Sequence, residues 1–179
     1  MDAFYRHMND LVESIEDCHT KGRILPCLVL LYTGIDVMAS LEHIRGEGTQ
    51  SSFVRWVDTY FLNGRNFPCT ALDLYSARCS ILHTFTPDSR LYNNGKARRI
   101  AYAWGTADAN RLEMSRRKLG GHDFSSVHLR DLIDAFRNAV VNQLHDVEVH
   151  PERNKQFKKA TGLWFAHMDC AIVNNYLAI

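Results

Sequence analysis

Arg78 and His83 are the residues in this chain whose types and spacing best suit chemistry. They stand in the run Arg78-Cys79-Ser80-Ile81-Leu82-His83-Thr84-Phe85, an arginine, four residues, a histidine, then an aromatic two places on. Cutting RNA requires a proton to leave a ribose 2′-OH, charge to be stabilised on the phosphorus centre, and a proton to reach the departing 5′-oxygen. A histidine that titrates near neutrality can take or give the proton, and an arginine stays charged while its planar fork donates to two phosphate oxygens. No metal or other cofactor is required. Positions five apart point roughly 140° apart on a straight α-helix. The pair therefore meets only if the helix loosens near His83 or the arginine side chain wraps round. Thr84, Thr86 and Pro87 predict a helix end at that point.

The eight-residue run resembles the signature of the HEPN superfamily, helical-bundle proteins many of which are metal-independent ribonucleases with the motif Arg, four to six residues, His. Toxin-type members often read Arg-Asn-x-x-x-His-x-Tyr. This chain keeps Arg78, His83, the apolar pair Ile81 and Leu82 and an aromatic at 85. It has Cys79 where a polar residue is common and Phe85 where tyrosine is common. The resemblance implies a homodimer in which two motifs face one cleft. It also implies a toxin or stress effector held in check by an antitoxin-type partner, commonly nucleotidyltransferase-like. A module of the same fold that binds a nucleotide or protein without cutting is the alternative, and a structural role for both residues at a helix C-terminus is the plain one. Asp73 and Tyr75 precede Arg78 by a turn or so, and Asp73 is a candidate to orient the guanidinium.

From Arg90 to Lys118 there are eight Lys or Arg against Asp108 and Glu113, a local net of +6 in a chain whose overall charge is +1. Tyr92, Tyr102 and Trp104 are interleaved with these cations. Such a composition tracks a phosphate backbone and stacks unpaired bases. Arg98, Arg99, Tyr102 and Trp104, with Asp73 and Tyr75, are therefore the candidate substrate-binding residues. The opposing reading is a solvated basic face with Tyr102 and Trp104 in the core.

Nine histidines invite a metal reading. His122-Asp123 and His145-Asp146, with His83 and Asp169, sketch the ligand set of a helical HD-type metal phosphohydrolase. His122 follows Gly120-Gly121, however, and clustered ligand types without a recognised spacing seldom make a site. No metal is assigned. Cys79 is the thiol nearest the pair, and packing within a bundle is its expected role over nucleophilic attack. Five cysteines without a C-x-x-C pair suggest neither a disulfide framework nor a zinc knuckle.

These residues must be positioned by helices. With 179 residues, 46% hydrophobic and only 10 Gly and 4 Pro, the chain reads as one ordinary globular domain over 1–179. The first twenty residues hold five acids and one Arg, which is not a secretory pattern, and no targeting tail is visible, so a reducing cytoplasm is expected. The longest apolar run, Ile24 to Tyr32, is far short of the roughly 20 residues that span a bilayer and soon meets Asp36. No membrane partner is expected. Phe4, Met8, Leu11, Val12 and Ile15 mark an amphipathic helix over 2–21, followed by a buried helix over about 24–45. A short third helix begins at a Ser51 or Ser52 cap and carries Phe53, Trp56, Val57, Tyr60 and Phe61, and a fourth runs from Thr70 to about His83. Residues 84–95 read as a loop. Ile100, Tyr102 and Trp104 alternate with smaller residues as in a strand, and Leu112 and Met114 form a return strand to make a hairpin, a short helix there being the rival reading. Ser125 or Ser126 caps a long helix over 127–147, and the tail after Pro151, with Phe157, Leu163, Trp164, Ile172 and Tyr176, supplies one or two more. The expectation is an all-α bundle of five to six helices with a small β-hairpin excursion inside a basic insertion over about 90–118.

Overall fold

The apolar stripes of the sequence converge on one helix. In the computed structural model, which describes residues 2–42, 44, 46–120 and 123–162, α2 (Ile24–Ser40) packs against α1 (Asp2–Thr20), α3 (Thr49–Trp56), α4 (Ala71–Thr84) and α7 (Leu129–Val149). Cys27, Leu28, Leu31, Tyr32, Ile35 and Met38 of α2 are all buried, as its nearly continuous apolar sequence requires. Phe4, Met8 and Ile15 of α1 and Leu132, Ile133 and Phe136 of α7 meet them. Gly34 lets α2 and α7 approach closely, since a Cβ at that position would stand 2.5 Å from the Phe136 ring. A buried polar bridge joins the same elements, with Trp56 Nε1 donating to Gln143 Oε1 at 2.6 Å and Gln143 Nε2 donating to the Met38 carbonyl at 3.3 Å.

The chain is mostly helical, with eight α-helices among the described residues rather than five to six. Besides those named, they are α5 (Arg90–Asn93), α6 (Ala109–Lys118) and α8 (Pro151–Thr161). α5 falls within the stretch expected to be loop. α2 stops at Ser40, before the expected 45. α3 begins at Thr49 after Gly48, so neither Ser51 nor Ser52 caps it, and it continues as one π-helical turn, Val57–Phe61. α8 buries Phe157. Its Arg153 clamps Glu42, Tyr60 and Asp146, which holds α8 to α7 and to the end of α2. Leu163, Trp164, Ile172 and Tyr176 lie outside the described residues. No helix among the described residues is long and apolar enough to cross a membrane.

The hairpin expectation is corrected. β1 (Arg99–Ala103) pairs with β2 (Phe124–His128) in parallel, register Arg99↔Phe124 through Ala103↔His128. Leu112 and Met114 belong to α6, the crossover that a parallel pair requires in place of a tight turn. Asp108 caps α6, its side chain accepting from the amides of Asn110 and Arg111. Ser125 and Ser126 are consequently strand residues and not caps. The cap of α7 is His128, whose Nδ1 accepts from the Arg130 amide at 3.2 Å.

Candidate functional site

α4 is built to place its C-terminal end. Thr70 caps it in a reciprocal box, the Thr70 hydroxyl accepting from the Asp73 amide and the Asp73 carboxylate from the Thr70 amide. Leu74, Ala77 and Ile81 bury one side. The helix then runs unbroken to Thr84 and stops at Phe85, whose φ of 52° is left-handed, the only positive φ of a non-glycine among the described residues. His83 therefore sits in the last turn, exposed.

Arg78 reaches it by wrapping round the helix. Its Nη1 lies 3.1 Å from His83 Nε2 although the two residues are five apart. The helix does not loosen; the length of the arginine side chain closes the angle. Because a guanidinium can only donate, His83 Nε2 accepts, which puts the proton of a neutral imidazole on Nδ1. The other side of the fork is fixed from α2. Arg78 Nε and Nη2 approach one oxygen of Asp36, Oδ2, at 2.7 and 2.6 Å. Asp36 Oδ1 is buried without a hydrogen-bond partner among the described residues. Burial raises the Asp36 carboxyl above its ordinary value despite the opposing guanidinium. Asp36 was not among the candidate residues. Its signal in the sequence is a lone carboxylate following a long apolar run, a place where an acid survives only with a cationic partner.

Tyr75 and Cys79 complete the cluster. The Arg78 Cζ stands 5.8 Å from the Tyr75 ring centroid, and Arg78 Nη1 donates to Cys79 Sγ at 3.9 Å. Tyr75 also packs edge-on against Phe53, centroids 5.3 Å apart. The structure thus gathers Arg78, His83, Tyr75, Cys79 and Asp36 at one place.

The other candidate residues lie elsewhere. Asp73 does not orient Arg78: it is buried at the opposite end of α4, roughly 15 Å from His83 along the axis. There it accepts from Arg98 through the backbone amide at 2.7 Å and through Nε and Nη2 at 3.2 and 2.8 Å. Burial pushes the Asp73 carboxyl up, but the Thr70 amide and Arg98 together override it and leave it below its ordinary value. Arg98 also donates to the Pro68 carbonyl at 2.8 Å. Arg99 pairs with Asp88 and lies 4.0 Å from the Tyr92 ring centroid. The Tyr102 hydroxyl shares a 2.7 Å hydrogen bond with that of Tyr32, tying β1 to α2, and burial pushes the pKa of both hydroxyls above the ordinary tyrosine value. Trp104, after β1, is 52% exposed.

The basic stretch is thus partly neutralised from within. Arg98, Arg99 and Arg117 are bound to Asp73, Asp88 and Glu113, and Arg116 lies over Phe124 at 5.0 Å. Arg90, Lys96, Arg111 and Lys118 make no ion pair among the described residues. As for the phosphohydrolase sketch, His83 engages Arg78, Asp146 engages Tyr60 and Arg153, and His122 and Asp169 lie outside the described residues. No group of three His, Cys, Asp or Glu among the described residues is arranged to hold a metal ion. Comparison with protein-family models, curated proteins and solved structures finds no match for this chain.

Proposed function

We propose that this chain is a HEPN-like RNA-binding protein that cleaves RNA through Arg78 and His83 without a metal ion. The contact between Arg78 Nη1 and His83 Nε2, with Asp36 behind the guanidinium, is the observation that carries the reading. Asp36 takes Nε–H and one Nη2–H, so Nη1 and the second Nη2–H are the donors an incoming phosphate can engage. A phosphate oxygen displaces His83 from Nη1 and frees Nε2. Nε2 takes the proton of the neighbouring ribose 2′-OH, the 2′-oxygen attacks phosphorus, and the 5′-oxygen leaves with a proton supplied by the imidazolium form of His83 in a second copy. The products are a 2′,3′-cyclic phosphate and a 5′-hydroxyl. Arg78 stays charged throughout and holds the developing charge on the phosphoryl oxygens.

The Asp36 clamp favours a second reading as well. It neutralises the guanidinium and suits a module that binds a nucleotide or protein here without turnover. Incubating labelled single-stranded RNA with the full chain, with and without EDTA, and with His83→Ala, separates the readings. Cleavage that persists in EDTA and falls about 10²–10⁴-fold in His83→Ala supports the nuclease. Tight binding without cleavage leaves the module, and EDTA-sensitive cleavage points to the metal phosphohydrolase. The homodimer is tested by light scattering of the same sample, and an antitoxin-type regulator by its ability to suppress the cleavage.

A further inference from the structure

The face of α4 that carries Arg78 also walls a second hollow. Tyr75 and Cys79, one turn apart, form one side of a cleft of about 400 Å³ whose other walls include Gln50, Arg90, Asn94 and Lys96. Both α4 residues also touch the guanidinium of Arg78, so cleft and pair share a wall. The cleft carries two cations and no carboxylate. Neither Arg90 nor Lys96 makes an ion pair among the described residues, and neither Gln50 nor Asn94 commits its amide side chain to another of them. Free cations, free amides and an aromatic ring are the groups that meet a phosphate, a base edge and a base face. The volume lies within the range of small-ligand sites.

The other hollows are less suited to an anion. One of about 620 Å³ includes Lys96 and Arg98 but also Asp73 and Asp123, and its Arg98 is already held by Asp73. A cleft of about 480 Å³ at the end of β2 is lined by Asp131 and Asp134. The one beside Arg153 is closed by that residue's own pairs with Glu42 and Asp146.

We infer that the cleft beside Tyr75 and Cys79 is a nucleotide subsite that holds the RNA residue next to the phosphate gripped by Arg78. Arg90 and Lys96 receive that residue's phosphate, Gln50 and Asn94 read its base edge, and Tyr75 meets its face. The inference rests on the RNA reading above.

Cys79 supplies the reporter, because its partly exposed thiol lines the cleft whereas Cys18 stands on α1. The full chain carrying His83→Ala, which keeps a strand intact, is alkylated with N-ethylmaleimide and labelling is followed by mass spectrometry at each cysteine. The probes are 12-residue oligomers of A, C, G or U and the four ribonucleoside monophosphates. The oligomers are expected to slow labelling of Cys79 at least threefold and to leave Cys18 unchanged, at concentrations about tenfold below those the monophosphates need. Adding Arg90→Ala and Lys96→Ala is expected to weaken this protection about tenfold. Gln50→Ala is expected to change the ranking of the four oligomers. Unchanged Cys79 labelling on protein shown by gel shift to hold RNA overturns the subsite while leaving the nuclease reading standing. Protection by monophosphates with none from the oligomers overturns its placement on a strand. Failure of wild-type cleavage does not affect this readout, which is made in a variant disabled for cutting.

Discussion

Asp36 converts Arg78 from a flexible surface cation into a fixed donor. The side chains are only 20% and 15% exposed, so the pair is screened little by solvent. Asp36→Asn keeps the shape but leaves a guanidinium without its charge partner, and it is expected to lower stability by about 1–3 kcal/mol, read by urea denaturation. On the proposed nuclease reading, RNA cleavage should fall along with it, while Asp36→Glu should restore part of both. Phe85 presents the opposite case. A left-handed phenylalanine that is 67% exposed costs backbone energy without burying its ring. Phe85→Gly is expected to raise stability by about 1 kcal/mol, seen as a higher Tm. If the ring stacks on a base, the same variant binds RNA more weakly, a trade of stability for function that gel shift measures.

At the scale of elements, α4 and α2 carry the site, and each rests on one small residue. Thr70→Ala removes the capping box and should cost about 1 kcal/mol. Gly34→Ala drives a methyl into the Phe136 ring and should cost about 1–3 kcal/mol by denaturant titration, through a shift of α2 against α7. The sequence made α4 legible because its cap and apolar positions are local. It also made Arg78 and His83 legible as a pair, since both lie on that helix. Asp36 is 42 residues away, and only the packing of α2 on α4 brings it to the guanidinium. The two-residue alternation from Ile100 marked β1, but its parallel pairing with β2 was illegible for a related reason. Strand pairing depends on what lies across the sheet, and the polar pair Ser125-Ser126 before a strong helical stripe looks locally like a cap. The basic stretch was legible as composition, but its neutralisation by Asp73 and Asp88 is again a matter of distant partners.

The whole molecule ties acid stability to a few carboxylates. Asp73 is held low by the balance described above. Asp146 is held low chiefly by the Tyr60 hydroxyl, then by Arg153. Glu113 is pushed up by burial but drawn below its ordinary value by Arg117 and the Ser126 amide. Each binds its proton less readily folded than unfolded, so its stabilisation is full above the unfolded value and is lost as pH falls through the folded one. Asp36 runs the other way, its folded form keeping the proton to higher pH. Melting curves from pH 7 to 3 should show Tm falling below about pH 4, with Asp73→Asn starting lower and falling less steeply. Glu113 has a further consequence. A sheet of two strands consists wholly of edges, and the Glu113 carboxylate accepts from the Ser126 amide at 2.6 Å, occupying a main-chain donor that a foreign strand would seek. Removing that carboxylate unmasks β2, so Glu113→Ala should form concentration-dependent β-rich aggregates at neutrality, where the parent chain keeps the Ser126 amide covered.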